Sequence, residues 1–150
     1  MKKGEILSRA LLLATNAHNG QFDRAGEPYI MHVLTVMQLL DPSVVDEELR
    51  CIAVLHDTVE DTKTTFQDLR DIGMTDRVVE GVRAMTKMNG QTYEEYKEGV
   101  FANIDAMYVK MADLTHNSDI RRLKGISEKD IERTAKYHRF FLEIKSKLEK

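Results

Sequence analysis

Apolar residues recur along most of the chain at the three- and four-residue spacing of an amphipathic helix. Alternation of apolar and polar residues at every second position, which is typical of strands, is nearly absent. The apolar positions of the first such segment are Ile6, Leu7, Ala10, Leu11, Leu13, Ala14 and Ala17. The pattern therefore predicts an all-α fold.

Local start and stop signals divide the pattern into separate helices. Pro28 suits the first position of a second helix, which runs through "YIMHVLTVMQLL" and ends at "DPS". A third helix is predicted from about Val45 to Val59, and a short fourth one between Thr65 and Gly73. Further helices are predicted in "TDRVVEGVRAMTK", "YEEYKEGVFANI", "AMYVKMADLTHNS" and, behind a Ser127/Asp130 capping pair, "SEKDIERTAKYHRFFLEIKSKLEK".

The length and composition are those of one globular domain. The 150 residues are 42% hydrophobic and 31% charged, without an internal repeat or a low-complexity tract. A chain of this size buries roughly two-thirds of its unfolded surface on folding and needs no disulfide. We therefore expect a single domain over residues 1–150, built as a helical bundle.

The charge pattern excludes some classes of partner. The 22 basic and 25 acidic residues give a net charge of −3 without a basic stripe, so we do not expect nucleic-acid binding, whereas a small anionic ligand remains compatible. Glu5 and Arg9 interrupt the first apolar run, and no apolar stretch approaches the roughly 20 residues of a membrane span. The lone Cys51 fits a reducing compartment, so we expect a cytoplasmic protein; a homo-oligomer is compatible with the sequence.

Four side chains that commonly bind metals lie within otherwise apolar predicted helices: His32, the adjacent His56 and Asp57, and Asp113. Imidazole and carboxylate together suit a divalent cation such as Mn²⁺, Fe²⁺ or Zn²⁺, and leave coordination positions open for water and substrate. Taken singly, His32 could be a hydrogen-bonded core histidine, and Asp113 could pair with Lys110 on the same helix face. Their occurrence on three different helices favours one metal site.

Two more carboxylates, Glu60 and Asp61, follow His56 and Asp57 by one helical turn. At a spacing of four residues they are predicted to stand over the same helix face. A carboxylate there could orient a water molecule whose pKa a cation lowers, and accept its proton. Without a metal, the same residues would be an ordinary solvated helix end.

Three blocks of this sequence, in this order, resemble the signature of HD-superfamily metal-dependent phosphohydrolases: "AHNGQFDRAGEPYIMH", "VLHDTVEDT" and "YVKMADLTHN". Within that superfamily they are most similar to the hydrolase domains of RelA/SpoT-type enzymes and of the stand-alone metazoan SpoT homologue. The similarity covers about residues 10–117, and the intervening "AMTKM" also fits. The resemblance implies a helical bundle of the HD-domain type that uses Mn²⁺ to remove the 3′-pyrophosphate of guanosine tetraphosphate and pentaphosphate, (p)ppGpp.

The resemblance also implies a role for each matching residue. The metal ligands are His32, His56, Asp57 and Asp113, with Fe²⁺, Zn²⁺ or Mg²⁺ as alternatives to Mn²⁺. Glu60 and Asp61 match the carboxylates that organise the hydrolytic water, and Asn117 matches a residue near the ribose and phosphates. His18 and His116 are expected to support the site through hydrogen bonds.

Two positions depart from the family pattern. Asp23 and Arg24 stand where the family usually has an Arg-Lys pair, and Leu114 replaces the Arg or Lys that usually follows the metal-binding Asp. Cations that could compensate are Arg24, Lys110, Arg121, Arg122 and Arg139, although solvation at the surface is the alternative role for most of them. These departures leave two alternatives open: a phosphohydrolase acting on another nucleotide, and a non-catalytic domain that binds a nucleotide or a protein partner and keeps the metal for structure.

Overall fold

Nine α-helices and one 3₁₀ helix make up the protein, whose computed structural model describes residues 1–150. The only extended pairing is an isolated bridge between Phe22 and Pro28. The all-α prediction is therefore confirmed. The helices are α1 (Glu5–Ala17), α2 (Ile30–Gln38), α3 (Glu47–Leu55), α4 (Thr58–Asp61), α5 (Phe66–Asp71), α6 (Asp76–Met85), α7 (Tyr93–Phe101), α8 (Ile104–Asn117), the 3₁₀ helix (Ile120–Arg122) and α9 (Glu128–Leu148).

The predicted capping signals set the ends of α5 and α9. Thr65 and Ser127 each form a capping box, in which the hydroxyl accepts a backbone N–H three residues later and the Asp at that position accepts the cap's own N–H. Gly73 ends α5 with φ +96°, a left-handed conformation that glycine adopts without a steric cost.

Helix α2 begins two residues later than predicted. Pro28 was expected at its first position, but the helix starts at Ile30. Pro28 pairs instead with Phe22, and the backbone N–H of Tyr29 donates to the carbonyl of Gln21 at 2.8 Å. These bonds hold Pro28 and Tyr29 in a hairpin-like loop in front of the helix.

The prediction of one helix from Val45 to Val59 is wrong, because this segment forms two helices, α3 and α4. Asp46 caps α3 by accepting the N–H of Leu49 at 2.8 Å. At the other end, the His56 ring donates to the carbonyl of Ala53 at 2.5 Å, and the Thr58 hydroxyl donates to that of Leu55 at 2.7 Å. These side chains therefore hydrogen-bond to backbone carbonyls that would accept backbone N–H groups in a continuous helix. His56 and Asp57 lie at the resulting break.

The boundary between α7 and α8 also differs from the prediction. The segment "YEEYKEGVFANI" was expected to be one helix, but α7 ends at Phe101 and Ile104 already belongs to α8. Asn103 separates the two because its side chain accepts the N–H of Ala106 at 2.9 Å. The 3₁₀ helix Ile120–Arg122 was not predicted.

A single hydrophobic core of 25 buried residues extends from Ala10 in α1 to Ile144 in α9. Helix α3 lies at its centre, packed against α1, α2, α6 and α8, and residues 51–55 of α3 are completely buried. The chain leaves α3 at His56, which places this imidazole and the following carboxylate inside the bundle. None of the helices has the length and hydrophobicity needed to cross a membrane.

Candidate functional site

The four predicted metal ligands meet inside the bundle. His32 from α2, His56 and Asp57 from the break after α3, and Asp113 from α8 each offer a ligand atom, and these atoms all lie within 4.8 Å of one another. The two imidazoles and Asp113 are buried, and Asp57 is half-buried. Three elements that are far apart in the sequence thus build one cluster.

Hydrogen bonds on the outer side of each imidazole turn its Nε2 atom toward the carboxylates. His56 uses Nδ1 for the Ala53 carbonyl, and Nδ1 of His32 lies 2.7 Å from Nδ1 of His116. Nε2 of His32 lies 3.0 Å from Oδ1 of Asp113, and Nε2 of His56 lies 3.0 Å from Oδ2 of Asp57. Partners of this kind fix the ring orientation of metal-binding histidines.

The negative charges of the cluster carboxylates favour a bound cation. Burial opposes a charged His56, yet Asp57 and Asp113 raise the pKa of this imidazole well above its ordinary value. For Asp113, burial raises the pKa, but Lys110 and the two histidines lower it well below the usual range. Two ionised carboxylates in one buried site are costly unless a cation pairs with them. Two imidazole nitrogens with two carboxylates are a donor set that fits a divalent metal ion.

Three polar side chains surround the cluster and hold its carboxylates. The hydroxyl of Tyr29 donates to Oδ2 of Asp57 at 2.6 Å, Nζ of Lys110 donates to Oδ2 of Asp113 at 2.9 Å, and Nδ2 of Asn117 donates to Oδ1 of Asp113 at 3.1 Å. The pairing of Lys110 with Asp113, which their spacing suggested as an alternative to metal binding, is present, although Asp113 also belongs to the cluster. Sequence reasoning missed Tyr29, although its position three residues before His32 was a usable signal.

Two further histidines adjoin the cluster. The His18 ring is buried, with Nδ1 2.8 Å from Oε1 of Gln21 and no hydrogen-bond partner for Nε2. Burial, together with nearby Arg122 and His32, lowers the pKa of His116 to about 4. His116 is therefore neutral at pH 7 and can accept a hydrogen bond from His32.

Glu60 and Asp61 lie on α4 rather than on a continuation of α3. The backbone N–H of Asp61 still donates to the carbonyl of Asp57 at 3.0 Å. Asp57 and Asp61 therefore keep the predicted spacing of one helical turn. Glu60 uses Oε1 to accept the backbone N–H of Lys87 at 2.6 Å. Burial and the negative charges of Asp57 and Glu60 raise the pKa of Asp61 to about 6.

A cavity of about 340 Å³ adjoins the cluster. Tyr29 and Asn117, which touch the cluster carboxylates, belong to its lining. Three arginines and two further aromatic rings also line it, a combination that suits an anionic ligand with a flat ring system. The lining residues are Phe22, Asp23, Arg24, Ala25, Tyr29, Asn117, Asp119, Arg122, Leu123, Arg133 and Tyr137.

The predicted substrate-binding residues divide between the cluster and the cavity. Arg24 lines the cavity and lies 3.7 Å from Asp130 on α9. Asn117 contacts both the cluster and the cavity, whereas Lys110 contacts the cluster through Asp113. Of the cations considered as substitutes, Arg122 lines the cavity, whereas Arg121 projects outward with its side chain 88% exposed.

Comparison with known proteins gives consistent matches. A family model described as HD domain matches residues 10–136. The bifunctional (p)ppGpp synthase/hydrolase SpoT of Escherichia coli K12 is 34% identical over 122 residues, which are 74% of this chain and 17% of that protein. The GTP pyrophosphokinase of Myxococcus xanthus is 31% identical over 144 residues, 87% of this chain and 19% of that protein. The chain spans less than a fifth of the length of these relatives.

A solved structure shares the fold. It is described as a metazoan orthologue of SpoT that hydrolyses ppGpp and plays a role in starvation responses. The two structures align with a TM-score of 0.77 and 24% sequence identity, covering 96% of this chain and 87% of the other. The predicted helical bundle of the HD-domain type is therefore confirmed.

Proposed function

Since this chain belongs to the HD domain family, we propose that it is a phosphohydrolase that removes the 3′-pyrophosphate from guanosine tetraphosphate and pentaphosphate. The observation that carries the proposal is the buried His/Asp cluster beside a cavity with arginines and aromatic rings. A site for cleaving a phosphate ester thus adjoins a space suited to a nucleoside. The names of several relatives, among them the guanosine-3′,5′-bis(diphosphate) 3′-pyrophosphohydrolase of Haemophilus influenzae, support this substrate.

His32, His56, Asp57 and Asp113 would hold a divalent cation, and we propose Mn²⁺ because it accepts imidazole and carboxylate ligands together. When bound, such a cation supplies Lewis acidity toward phosphate oxygens and toward water. The surrounding side chains keep the ligands in place: Tyr29 fixes the Asp57 carboxylate, and Asn117 fixes that of Asp113.

Asp61 is the residue we assign to the proton of the attacking water. Its raised pKa of about 6 makes it a stronger base than an ordinary Asp while leaving it mostly ionised at pH 7. Water attacks the phosphorus bound to the ribose 3′ oxygen, this P–O bond breaks, and the 3′ oxygen takes a proton. The products are pyrophosphate and GDP from guanosine tetraphosphate, or pyrophosphate and GTP from guanosine pentaphosphate. Glu60 holds the Lys87 backbone with one oxygen and can orient the water with the other.

The cavity would bind the rest of the nucleotide. Phe22 and Tyr137 offer ring faces for stacking against a base, while Arg24 and Arg133 supply positive charge for phosphate groups. Lys110, which donates to Asp113, adds a positive charge next to the cluster. These residues would share the charge of a substrate that carries four phosphoryl groups.

A second candidate is a phosphohydrolase of the same type that acts on another nucleotide. The observation that favours it is Asp23, a carboxylate in the cavity wall. Because Asp23 pairs with Arg122, it takes up part of the positive charge that the cavity would otherwise offer to a polyanion, which would favour a nucleotide with fewer phosphoryl groups. The chemistry at the cluster would be unchanged.

Side-by-side hydrolysis separates the two candidates. Guanosine tetraphosphate, a nucleoside 5′-monophosphate and a dinucleoside polyphosphate are each incubated with the Mn²⁺-loaded protein, and the products are resolved by chromatography. We expect GDP and pyrophosphate from guanosine tetraphosphate at a kcat/KM far above that of the others. A preference for another nucleotide would favour the second candidate, and no turnover of any compound would favour a non-catalytic binding domain.

The single cysteine agrees with the cytoplasmic location that we propose. Cys51 is buried in α3, and burial, together with Glu47 and Glu48, raises the pKa of its thiol to about 12. The thiol is therefore protonated and unreactive at neutral pH. A nucleotide hydrolase of this kind would meet its substrate in the same compartment.

A further inference from the structure

Asp23 is a carboxylate in the wall of a cavity that the proposed function assigns to a polyanion. Its side chain is only 9% exposed, and both oxygens have partners. Oδ1 accepts the backbone N–H groups of Ala25 at 2.9 Å and Glu27 at 3.0 Å, and Oδ2 pairs with Nη2 of Arg122 at 2.9 Å. Its negative charge is thus neutralised within the protein rather than presented to a ligand.

Arg122 makes three hydrogen bonds, which fix the plane of its guanidinium. Besides the bond to Asp23, Nη1 donates to the backbone carbonyl of His116 at 3.0 Å and to Oδ1 of Asn117 at 3.2 Å. A guanidinium has five N–H groups, so two remain. Since Arg122 lines the cavity, these two suit an acceptor of a bound nucleotide, a phosphate oxygen or a base edge.

The contact with Asn117 links Arg122 to the cluster. Because Oδ1 of Asn117 accepts from Arg122, its Nδ2 faces Oδ1 of Asp113 at 3.1 Å. A continuous path therefore runs from Asp23 through Arg122 and Asn117 to Asp113. This path joins the loop before α2 to the 3₁₀ helix and α8. Asp23 and Arg122, which form the ion pair, are 99 residues apart in the sequence.

We propose that Arg122, held by Asp23, is a nucleotide-binding residue that also positions Asn117 and so determines nucleotide affinity. It keeps the two walls of the cavity together, orients the Asn117 amide and donates to an acceptor of the nucleotide. The inference rests on the proposed function only for the identity of the ligand. Lysine cannot replace arginine here because a single ammonium lacks the planar fork that reaches Asp23 and Asn117 at once.

Arg121 provides a matched control. It is the neighbouring residue of the same type, but its side chain is exposed and pairs with Asp119 through Nε and Nη2. The variants are Arg122→Lys, Asp23→Asn, their combination and Arg121→Lys. Thermal unfolding of each shows whether the fold is retained, and the conservative Arg122→Lys keeps the charge.

Two readouts are measured with Mn²⁺-loaded protein: KM and kcat for guanosine tetraphosphate, and Kd for GDP by calorimetry. We expect Arg122→Lys and Asp23→Asn each to raise KM and Kd about tenfold, the scale of one charge-assisted hydrogen bond. The change in kcat should be smaller. The double variant should be no worse than either single one, since both break the same contact, and Arg121→Lys should match the wild type.

Several results would overturn the inference. Asp23→Asn would lower KM if the carboxylate only repelled the substrate, and independent roles would make the two effects multiply in the double variant. Equal KM and Kd values for Arg122→Lys and Arg121→Lys would also refute the inference, as would a wild-type protein that does not bind GDP. If the wild type binds GDP but does not hydrolyse guanosine tetraphosphate, the proposed function fails while the Kd ratios still decide this inference.

Discussion

His56 combines two tasks within one side chain. Its Nδ1 donates to the carbonyl of Ala53 and so helps to end α3, while its Nε2 faces Asp57 at 3.0 Å and Asp113 at 3.3 Å. The same imidazole therefore interrupts the helix and enters the cluster. This arrangement explains how the chain places His56 and Asp57 at the end of a helix whose last five residues are completely buried.

Asp61 is tested by Asp61→Asn, which keeps the size and most hydrogen bonds of the side chain but removes the base. If Asp61 accepts the proton of the attacking water, kcat should fall by about 10² to 10⁴-fold. Bound Mn²⁺, measured by elemental analysis, should remain, because Asp61 lies outside the four-residue cluster.

Asp71→Asn is the matched control for Asp61→Asn, because Asp71 is an Asp at an exposed position on α5, outside the cluster and its cavity. This control should keep the wild-type kcat. Full activity in Asp61→Asn would refute the assignment of the base, whereas loss of bound metal would show that Asp61 acts as a ligand.

The sequence predicted the residues that are conspicuous by type and setting, and missed those that act through tertiary contacts. His32, His56, Asp57 and Asp113 stand out as polar residues in apolar helices, and the structure brings all four together. The Tyr29 hydroxyl meets Asp57 across 28 residues, and Arg122 meets Asp23 across 99. Such pairs depend on how the helices pack, which periodicity does not encode.

At the scale of elements, the close packing of α3 and α6 holds the central helix. Gly81 of α6 faces Ile52 of α3, and a Cβ atom at Gly81 would lie 2.5 Å from Cδ1 of Ile52. The missing side chain therefore allows the two helices to approach. Helix boundaries were harder to predict than helices, because the break after α3 depends on the side chains of His56 and Thr58 rather than on a proline or glycine.

Substitution of two helical glycines by alanine should have opposite effects. Gly81→Ala should lower the free energy of unfolding by about 1–3 kcal/mol, since the added methyl group overpacks against Ile52. Gly99 of α7 has no atom within 4 Å of an added Cβ, so Gly99→Ala should raise stability by about 0.5–1 kcal/mol. Urea denaturation measures both, and equal signs would contradict the packing described.

The cap of α3 gives a pH-dependent contribution. Burial raises the pKa of Asp46, but the N–H of Leu49 and the guanidinium of Arg77 outweigh it and lower the pKa below its ordinary value. A carboxylate with a lowered folded pKa stabilises the fold above its unfolded pKa, about 3.9, and loses this contribution as the pH falls through the folded value.

Asp46→Asn isolates this charge, because Asn caps a helix as well as Asp. At pH 7 the variant should be less stable by about 0.5 kcal/mol, a small value because the ion pair is half-exposed. The difference should shrink toward zero below pH 3.9, as the wild-type carboxylate takes up a proton. Denaturation at several pH values checks this, with Glu98→Gln, at an exposed position of α7, as the control. A difference that stays constant with pH would contradict the charge argument.

At the scale of the whole molecule, one core supports one site. Helices α2, α3 and α8 pack on each other and supply the cluster, while the loop before α2, the 3₁₀ helix and α9 form the cavity beside it. The fold class followed from helical periodicity alone. The cavity did not, because its walls come from two segments that are far apart in the sequence, residues 22–29 and 117–137. Only the folded structure shows that Asp23 and Arg122 neutralise each other there.

The most direct test of the account is the release of pyrophosphate from guanosine tetraphosphate with added Mn²⁺, by the wild type and by Asp57→Asn. We expect the wild type to release pyrophosphate and GDP in equal amounts, and the variant to release neither above background, because it loses a carboxylate at the centre of the cluster. Pyrophosphate release that survives in Asp57→Asn, or a metal-loaded wild type that releases none, would contradict the account.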